Sequence, residues 1–366
     1  MTQPRAPVVE RLEAHAYEIP TEGPEADGTL AWDHSTLVVV RVHARGRTGT
    51  GWTWAPAAAV AVVHELLEPV VVGASALTPG DVQGAMVTAV RNAGRPGLVG
   101  MAISAVDVAL WDLGARLLDV PLSLWWSERP RPVPVYGSGG FTSYPDEKLV
   151  CQLEGWKQAG VAAVKIKIGE SWGTREDRDL ERTALVREVV GPDVGVFVDA
   201  NGGYGRRQAA RVGHALEELG VSWFEEPVSS DDLDGLDELH HELVLDVAAG
   251  EYGYDHSYFE RLAPVVDCVQ VDVTRCGGYT EWLRICPLVA SFGLDVSAHC
   301  APYLSAAVAA VTPNLRHVEW FHDHVRVARE LVDGYREPVG GALQPSDRPG
   351  HGLTFRADRA ERYLVA

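Results

Sequence analysis

Three carboxylic acids recur at equal steps along this sequence: Asp199, Glu225 and Glu251, each 26 residues from the next. Each ends, or nearly ends, a short apolar run of buried-strand type: VGVFVDAN (194–201), SWFEEP (222–227) and LDVAAGE (245–251). Carboxylates gathered inside a protein repel one another unless a cation sits among them. Hard oxygen donors without Cys or His favour Mg2+ over zinc. One unit earlier, AVKIKIG (163–169) carries Lys165 and Lys167. Period two puts both amines on one face of a strand. Burial penalises an ammonium, and desolvation with a nearby cation should lower its pKa, making a base usable near neutral pH. Further on, DVSAH (295–299) ends in His299 and CVQVDV (268–273) carries Asp272. An aspartate there would accept the imidazole N–H, fix its tautomer and raise its basicity. RHVEWF (316–321) carries Glu319. Taken singly, an acid at a strand end is a helix cap, K-x-K is solvated charge and a lone His is structural. The regular spacing is what points to one site. An amine and an imidazole on opposite sides of a substrate can take a proton from one face and return one to the other.

These runs must be aligned by a larger frame. With VPVYGS (133–138) they make eight short strands, joined by seven linkers mostly long enough for a helix. That alternation predicts a closed parallel (β/α) barrel, in which reacting groups stand at the C-terminal strand ends. No G-x-G-x-x-G follows a strand, which disfavours an open dinucleotide-binding sheet. The first third reads as α+β. Strands are expected near 8–19 and 36–44, with Gly46, Gly49 and Gly51 marking a turn. Helices are expected at 57–67, after Pro79-Gly80 with Asp81 as cap, and at 102–118. The Gly- and Pro-rich tail is expected to pack back on that first unit. The expected division is 1–125 as cap, 126–323 as barrel and 324–366 as returning tail.

Composition limits the functions. The net charge is −19 with 46% hydrophobic residues, so a large core is expected and nucleic acid or anionic membrane is not. An anionic substrate must then be drawn by a metal or by buried lysines. Five cysteines, none spaced C-x-x-C, fit neither a disulfide framework nor a zinc ribbon. No signal-like segment or uninterrupted run of about 18 apolar residues stands out, so a soluble cytoplasmic protein is expected.

VKIKIG, VDAN, WFEEP, AGE, VDVTRCGGYTEW, SAH and HVEW, preceded by AISAVDVALWDLGAR, together resemble the enolase superfamily. Within it the chain is similar to the mandelate racemase subgroup over residues 100–320. The resemblance implies a modified (β/α)7–8 TIM barrel under an α+β capping domain made from the N-terminal third and the tail. It assigns Asp199, Glu225 and Glu251 to Mg2+, Lys167 and His299–Asp272 to proton transfer, and Lys165 to the substrate carboxylate. Glu319 is assigned to the developing enediolate, and Asn201 and Ser138 to substrate contacts; Glu226 is not an expected ligand. It implies a small carboxylate substrate and a homo-oligomer, since the family is often dimeric or octameric.

The implied chemistry removes a proton alpha to a carboxylate. Dehydration of a sugar acid to a 2-keto-3-deoxy acid is the favoured outcome, with racemisation or epimerisation of a 2-hydroxy acid as the alternative. Asp272 stands where a muconate-type cycloisomerase has a lysine, which disfavours that class, and a non-catalytic scaffold is disfavoured by the full set of bases and ligands. Lid segments are expected at 21–32 and at 49–56, the latter carrying Trp52 and Trp54. The stretch TEGPEADG has no basic residue, so a second, distal carboxylate is not expected to be bound from there. His322-Asp323-His324 could line the entrance, but a solvated turn is the favoured reading. Arg326, Arg329 and Arg336 have no assigned place.

Overall fold

The computed structural model describes residues 6–366; residues 1–5 of the expected cap lie outside them. Eight strands, β4 (Val133–Gly139), β5 (Ala163–Lys167), β6 (Gly195–Asp199), β7 (Val221–Glu225), β8 (Asp246–Ala249), β9 (Cys268–Val271), β10 (Asp295–Ala298) and β11 (Leu315–Phe321), pair in parallel in that order. β11 returns to pair with β4 and closes the barrel.

Period two sorts each barrel strand chemically. Val164, Ile166, Val196, Val198, Phe224, Val269, Val271, Val296 and Val318 pack in the main core cluster. The alternate residues point inward. Near the strand starts, Tyr136, Ala163, Phe197, Trp223, Ala248 and Cys268 form a separate cluster that plugs the barrel floor. His317 sits among Tyr136, Phe197 and Trp223, with ring centroids 4.6–5.4 Å away. Towards the strand ends the inward residues become Ser138, Lys165, Lys167, Asp199, Glu225 and Glu319, all buried.

The cap holds an antiparallel sheet of β1 (Arg11–Ala26), β2 (Ala31–Ala44) and β3 (Arg47–Trp54). The expected 49–56 lid is therefore largely a strand, and Gly49 and Gly51 are not turn residues. Both glycines lie against the long helix Leu98–Leu118: a Cβ on Gly51 would fall 2.2 Å from the Ala105 carbonyl. Asp81 lies in the first turn of its helix, after Thr78 at the cap position. Leu98–Leu118 is long and apolar enough to cross a bilayer, but 78% of its apolar window is buried in the fold. Its buried polar residues make the joints. Asp107 accepts from the Thr280 backbone and hydroxyl at the start of helix Gly278–Ser291 (3.0 and 2.6 Å), and Ser104 Oγ accepts from Gly277 N–H. Asp112 accepts from Thr50 N–H of β3, from Arg116, and from His351 N–H of the tail (2.7–2.9 Å). The chain end also returns to β1, where Ala16 N–H donates to the Ala366 carbonyl.

The β1–β2 hairpin tip lies over the barrel mouth. Gly28 is the contact: a Cβ there would fall 2.6 Å from the Ile168 carbonyl and 2.9 Å from that of Ala200. Thr142 and Trp172 N–H groups bond the carbonyls of Ala26 and Gly28 (2.8 Å each). Just below the tip, Trp32 Nε1–H donates to both Glu25 and Asp323 (3.2 Å each), and Tyr144 donates to Glu25 (3.0 Å). Burial, with Asp323 beside it, pushes the Glu25 carboxyl up to about 8. His322-Asp323-His324 is thus no solvated turn; it opens helix His322–Leu331 with Asp323 buried. Arg326 bonds the Pro20 carbonyl, while Arg329 and Arg336 pair with Glu337 and Asp347.

Two outcomes follow from these joints. Asp112→Ala leaves buried N–H groups and Arg116 without an acceptor and should cost about 3 kcal/mol in chemical denaturation. Glu25 binds a proton on folding, because its folded pKa lies above the unfolded one, so its contribution to stability falls as pH rises from the ordinary carboxylate range to about 8. Glu25→Gln should flatten that slope in denaturation midpoints measured at about pH 5 and about pH 8.5; an unchanged slope rules out the extra proton.

Candidate active site at the barrel mouth

Strand register sets the site. Lys167 pairs with Asp199 and Asp199 with Glu225, so an amine and two acids stand level on β5, β6 and β7. Glu251 follows β8 after Gly250, whose φ of 135° and contact with Gln270 leave no room for a side chain. One carboxylate oxygen from each of Asp199, Glu225 and Glu251 lies within 4.8 Å of the others. All three acids are buried. Glu251 Oε2 accepts no hydrogen bond, although His299 Nε2 is 3.2 Å away. Three converging oxygens, one of them unsatisfied, fit a hard divalent cation.

Lys165 is fully buried, with its Nζ 2.5 Å from Glu225, 2.8 Å from Glu319 and 3.8 Å from Asp199. Lys167 bonds Asp199. The expected lowering of the lysine pKa involves a neighbouring cation; with the acids alone as neighbours the balance runs the other way. Burial does oppose the charge, but the carboxylates outweigh it and hold both amines above the usual lysine range. The same crowding pushes Glu225 up to about 8, through burial and then Asp199.

Across the barrel, His299 Nδ1 is 2.8 Å from Asp272 Oδ2. The other Asp272 oxygen accepts from the Thr274 backbone and hydroxyl, 2.7 Å each. Thr274 is itself held by the cap, since Thr53 of β3 donates to its carbonyl (2.7 Å). Asp272 therefore takes Nδ1–H, and Nε2 faces Glu251 and Glu319. Burial opposes charge on His299, yet its acid neighbours hold it well above the usual histidine range. Glu319 accepts from Ser138 Oγ (2.6 Å) and Cys300 N–H (2.8 Å). Ser138 is thus committed to Glu319. Asn201 N–H donates to Asp199, leaving a buried amide oxygen without a partner.

Three further residues belong here. Arg275 bonds Glu251 (3.0 Å) and lies 3.6 Å from Asp272; its place three residues after Asp272 was the available signal. Cys300 supplies its N–H to Glu319 and sets its sulfur 3.3 Å from His299 Nε2. His324 accepts from Ala301 N–H and stacks on Trp54 at 3.8 Å.

Known proteins share this architecture. The enolase C-terminal domain-like family model matches residues 148–359, and the mandelate racemase / muconate lactonizing enzyme N-terminal domain model matches 19–124. The arabinonate dehydratase of Saccharolobus solfataricus is 34% identical over 76% of this chain and 76% of its own length. A 3,6-anhydro-alpha-L-galactonate cycloisomerase of Streptomyces coelicolor is 29% identical over 98% of this chain and 100% of its own. Among solved structures, a mandelate racemase/muconate lactonizing enzyme-like protein from Rubrobacter xylanophilus superposes with TM-score 0.94 at 46% identity, covering 98% and 100% of the two chains. A Streptomyces coelicolor A3(2) racemase with bound magnesium superposes with TM-score 0.92 at 28% identity, with the same coverage. The chain is an enzyme of the mandelate racemase / muconate lactonizing enzyme family, in the enolase superfamily.

Proposed function

We propose that this enzyme uses Mg2+ to remove the proton alpha to a carboxylate in a sugar acid, and then expels the β-hydroxyl to give a 2-keto-3-deoxy acid. The observation that carries this reading is the clustering of Asp199, Glu225 and Glu251, flanked by two lysines on one side and the His299–Asp272 pair on the other. Relatives named as a sugar-acid dehydratase and as a racemase with bound magnesium support the same class.

Asp199, Glu225 and Glu251 would hold the ion, which supplies Lewis-acid stabilisation of the negative charge that develops on the substrate carboxylate. Lys165 adds a fixed positive charge beside that carboxylate, and Glu319, braced by Ser138 and the Cys300 N–H, faces its second oxygen. Lys167 or His299 takes the C2 proton, according to the configuration at C2. The electron pair left at C2 forms the C2–C3 double bond as the C3–O bond breaks. His299 Nε2 delivers a proton to the departing oxygen, water leaves, and the enol becomes the ketone. Asp272 keeps Nε2 as the working nitrogen throughout. Asn201, with a free amide oxygen, is suited to a substrate hydroxyl. Soluble cytoplasmic metabolism of small acids fits this chemistry.

Lys167→Ala and His299→Ala should each lower turnover of a sugar acid by about 10²–10⁴-fold, read as keto-acid formation with Mg2+ present. The double variant should also lose solvent deuterium incorporation at C2; full turnover by it ends the assignment. Asp199→Asn with Glu225→Gln should weaken Mg2+ binding in calorimetry by at least tenfold, and unchanged affinity places the ion elsewhere. Deuterium uptake at C2 without keto product would favour racemisation or epimerisation instead.

A further inference from the structure

A cavity of about 600 Å³ opens beside the acid cluster, on the loops that follow β5 to β8. Its size is that of a small-ligand pocket. Asn201 and Glu226, which line it, stand two and one residues after Asp199 and Glu225, and Tyr252 follows Glu251. The cavity therefore adjoins the reacting centre without sharing its bases.

Four aromatic rings line it: Trp172, Tyr252, Tyr254 and Tyr258. Trp172 is 67% exposed, unusual for so large an apolar ring. It stands on a strained turn, since Ser171 and Trp172 both adopt left-handed backbone (φ 57° and 59°). Non-glycine residues hold that conformation only where their surroundings impose it, and such sites cluster where ligands bind. Here the imposing contact is the lid, whose Gly28 carbonyl accepts from Trp172 N–H at 2.8 Å. Polar groups alternate with the rings. Glu226 is 1% exposed, and its Oε1 has no hydrogen-bond partner. The Asn201 amide oxygen is in the same state. A buried acceptor without a donor is costly, and both oxygens lie just beneath the lining, where a shift of their side chains would bring them to a ligand hydroxyl. Three acids of the lining, Glu226, Asp231 and Asp255, face one base, Arg261, and Asp255 is already paired with Arg95 at 2.9 Å. That balance does not attract an anion.

Flat apolar faces interleaved with hydroxyl acceptors, without net positive charge, match a pyranose ring. Its C–H face lies on an aromatic ring while its hydroxyls donate at the edges. We infer that this cavity is a subsite for a neutral glycosyl group carried by the substrate, so that the preferred acids are aldonic acids bearing a sugar on their distal hydroxyls. The inference rests on the proton-abstraction reading of the adjoining site. The glycosidic bond itself is left intact.

The test separates the two readings. Saturation-transfer NMR with methyl β-glucoside and methyl β-galactoside, neutral probes that cannot be turned over, should show binding of at least one. The signal should persist in the Lys167→Ala/His299→Ala variant and vanish in Trp172→Ala and Tyr254→Ala. In kinetics, Trp172→Ala should raise KM for cellobionate or lactobionate at least tenfold, leaving kcat and the KM for gluconate unchanged, with rescue by Trp172→Phe. Glycoside binding without turnover of any acid would uphold the subsite and overturn the reaction. Turnover of plain aldonates with neither glycoside bound would overturn the subsite alone. Equal KM shifts for gluconate and the glycosylated acids, or a Trp172-dependent KM confined to aryl hydroxy acids, would also overturn it.

Discussion

Three buried carboxylates converging from the ends of neighbouring strands are costly to hold together, and much of the architecture offsets that cost. Left alone they would repel or take up protons. The chain answers with Lys165 and Lys167 from one side and Arg275 and His299 from the other. Those cations fall short of full neutralisation, as the raised Glu225 carboxyl indicates. Under the proposed function a divalent ion would complete the balance, and the same charges that hold it would stabilise a substrate enediolate. Binding and chemistry thus draw on one electrostatic frame.

Rigidity of that frame comes from outside the barrel. Thr53 of the cap holds the Thr274 turn, Thr274 holds Asp272, and Asp272 orients His299. Asp107 and Ser104 seat the long cap helix on the barrel helix that follows the same turn. Asp112 ties β3 and the tail to that helix. The cap is therefore more than a cover, because the turn that braces Asp272 and His299 hangs from it.

The barrel and the buried polar residues at its mouth were legible because inward polar residues interrupt apolar strands at period two. Lys165 and Lys167 within AVKIKIG are the clearest case. Less legible were features set by tertiary contact. Gly49 and Gly51 look like turn residues, yet they sit in a strand because a helix presses on them. His322-Asp323-His324 looks solvated until Glu25, about 300 residues earlier, is brought to it. The charge balance at Lys165 and Lys167 was not legible, since the acids beside them, Asp199, Glu225 and Glu319, come from other strands. Trp172 gave no local signal, since its strained backbone depends on a hairpin distant in sequence.

The aromatic plug of Tyr136, Phe197 and Trp223 around His317 has a consequence for isotope bookkeeping. With the floor sealed, a hydron lifted from substrate under the proposed chemistry would have no exit below and would meet bulk solvent only through the barrel mouth, where the hairpin tip at Gly28 and the loops after β5 to β8 stand. The fraction of label handed back, rather than washed out, then becomes a clock for how often that doorway opens.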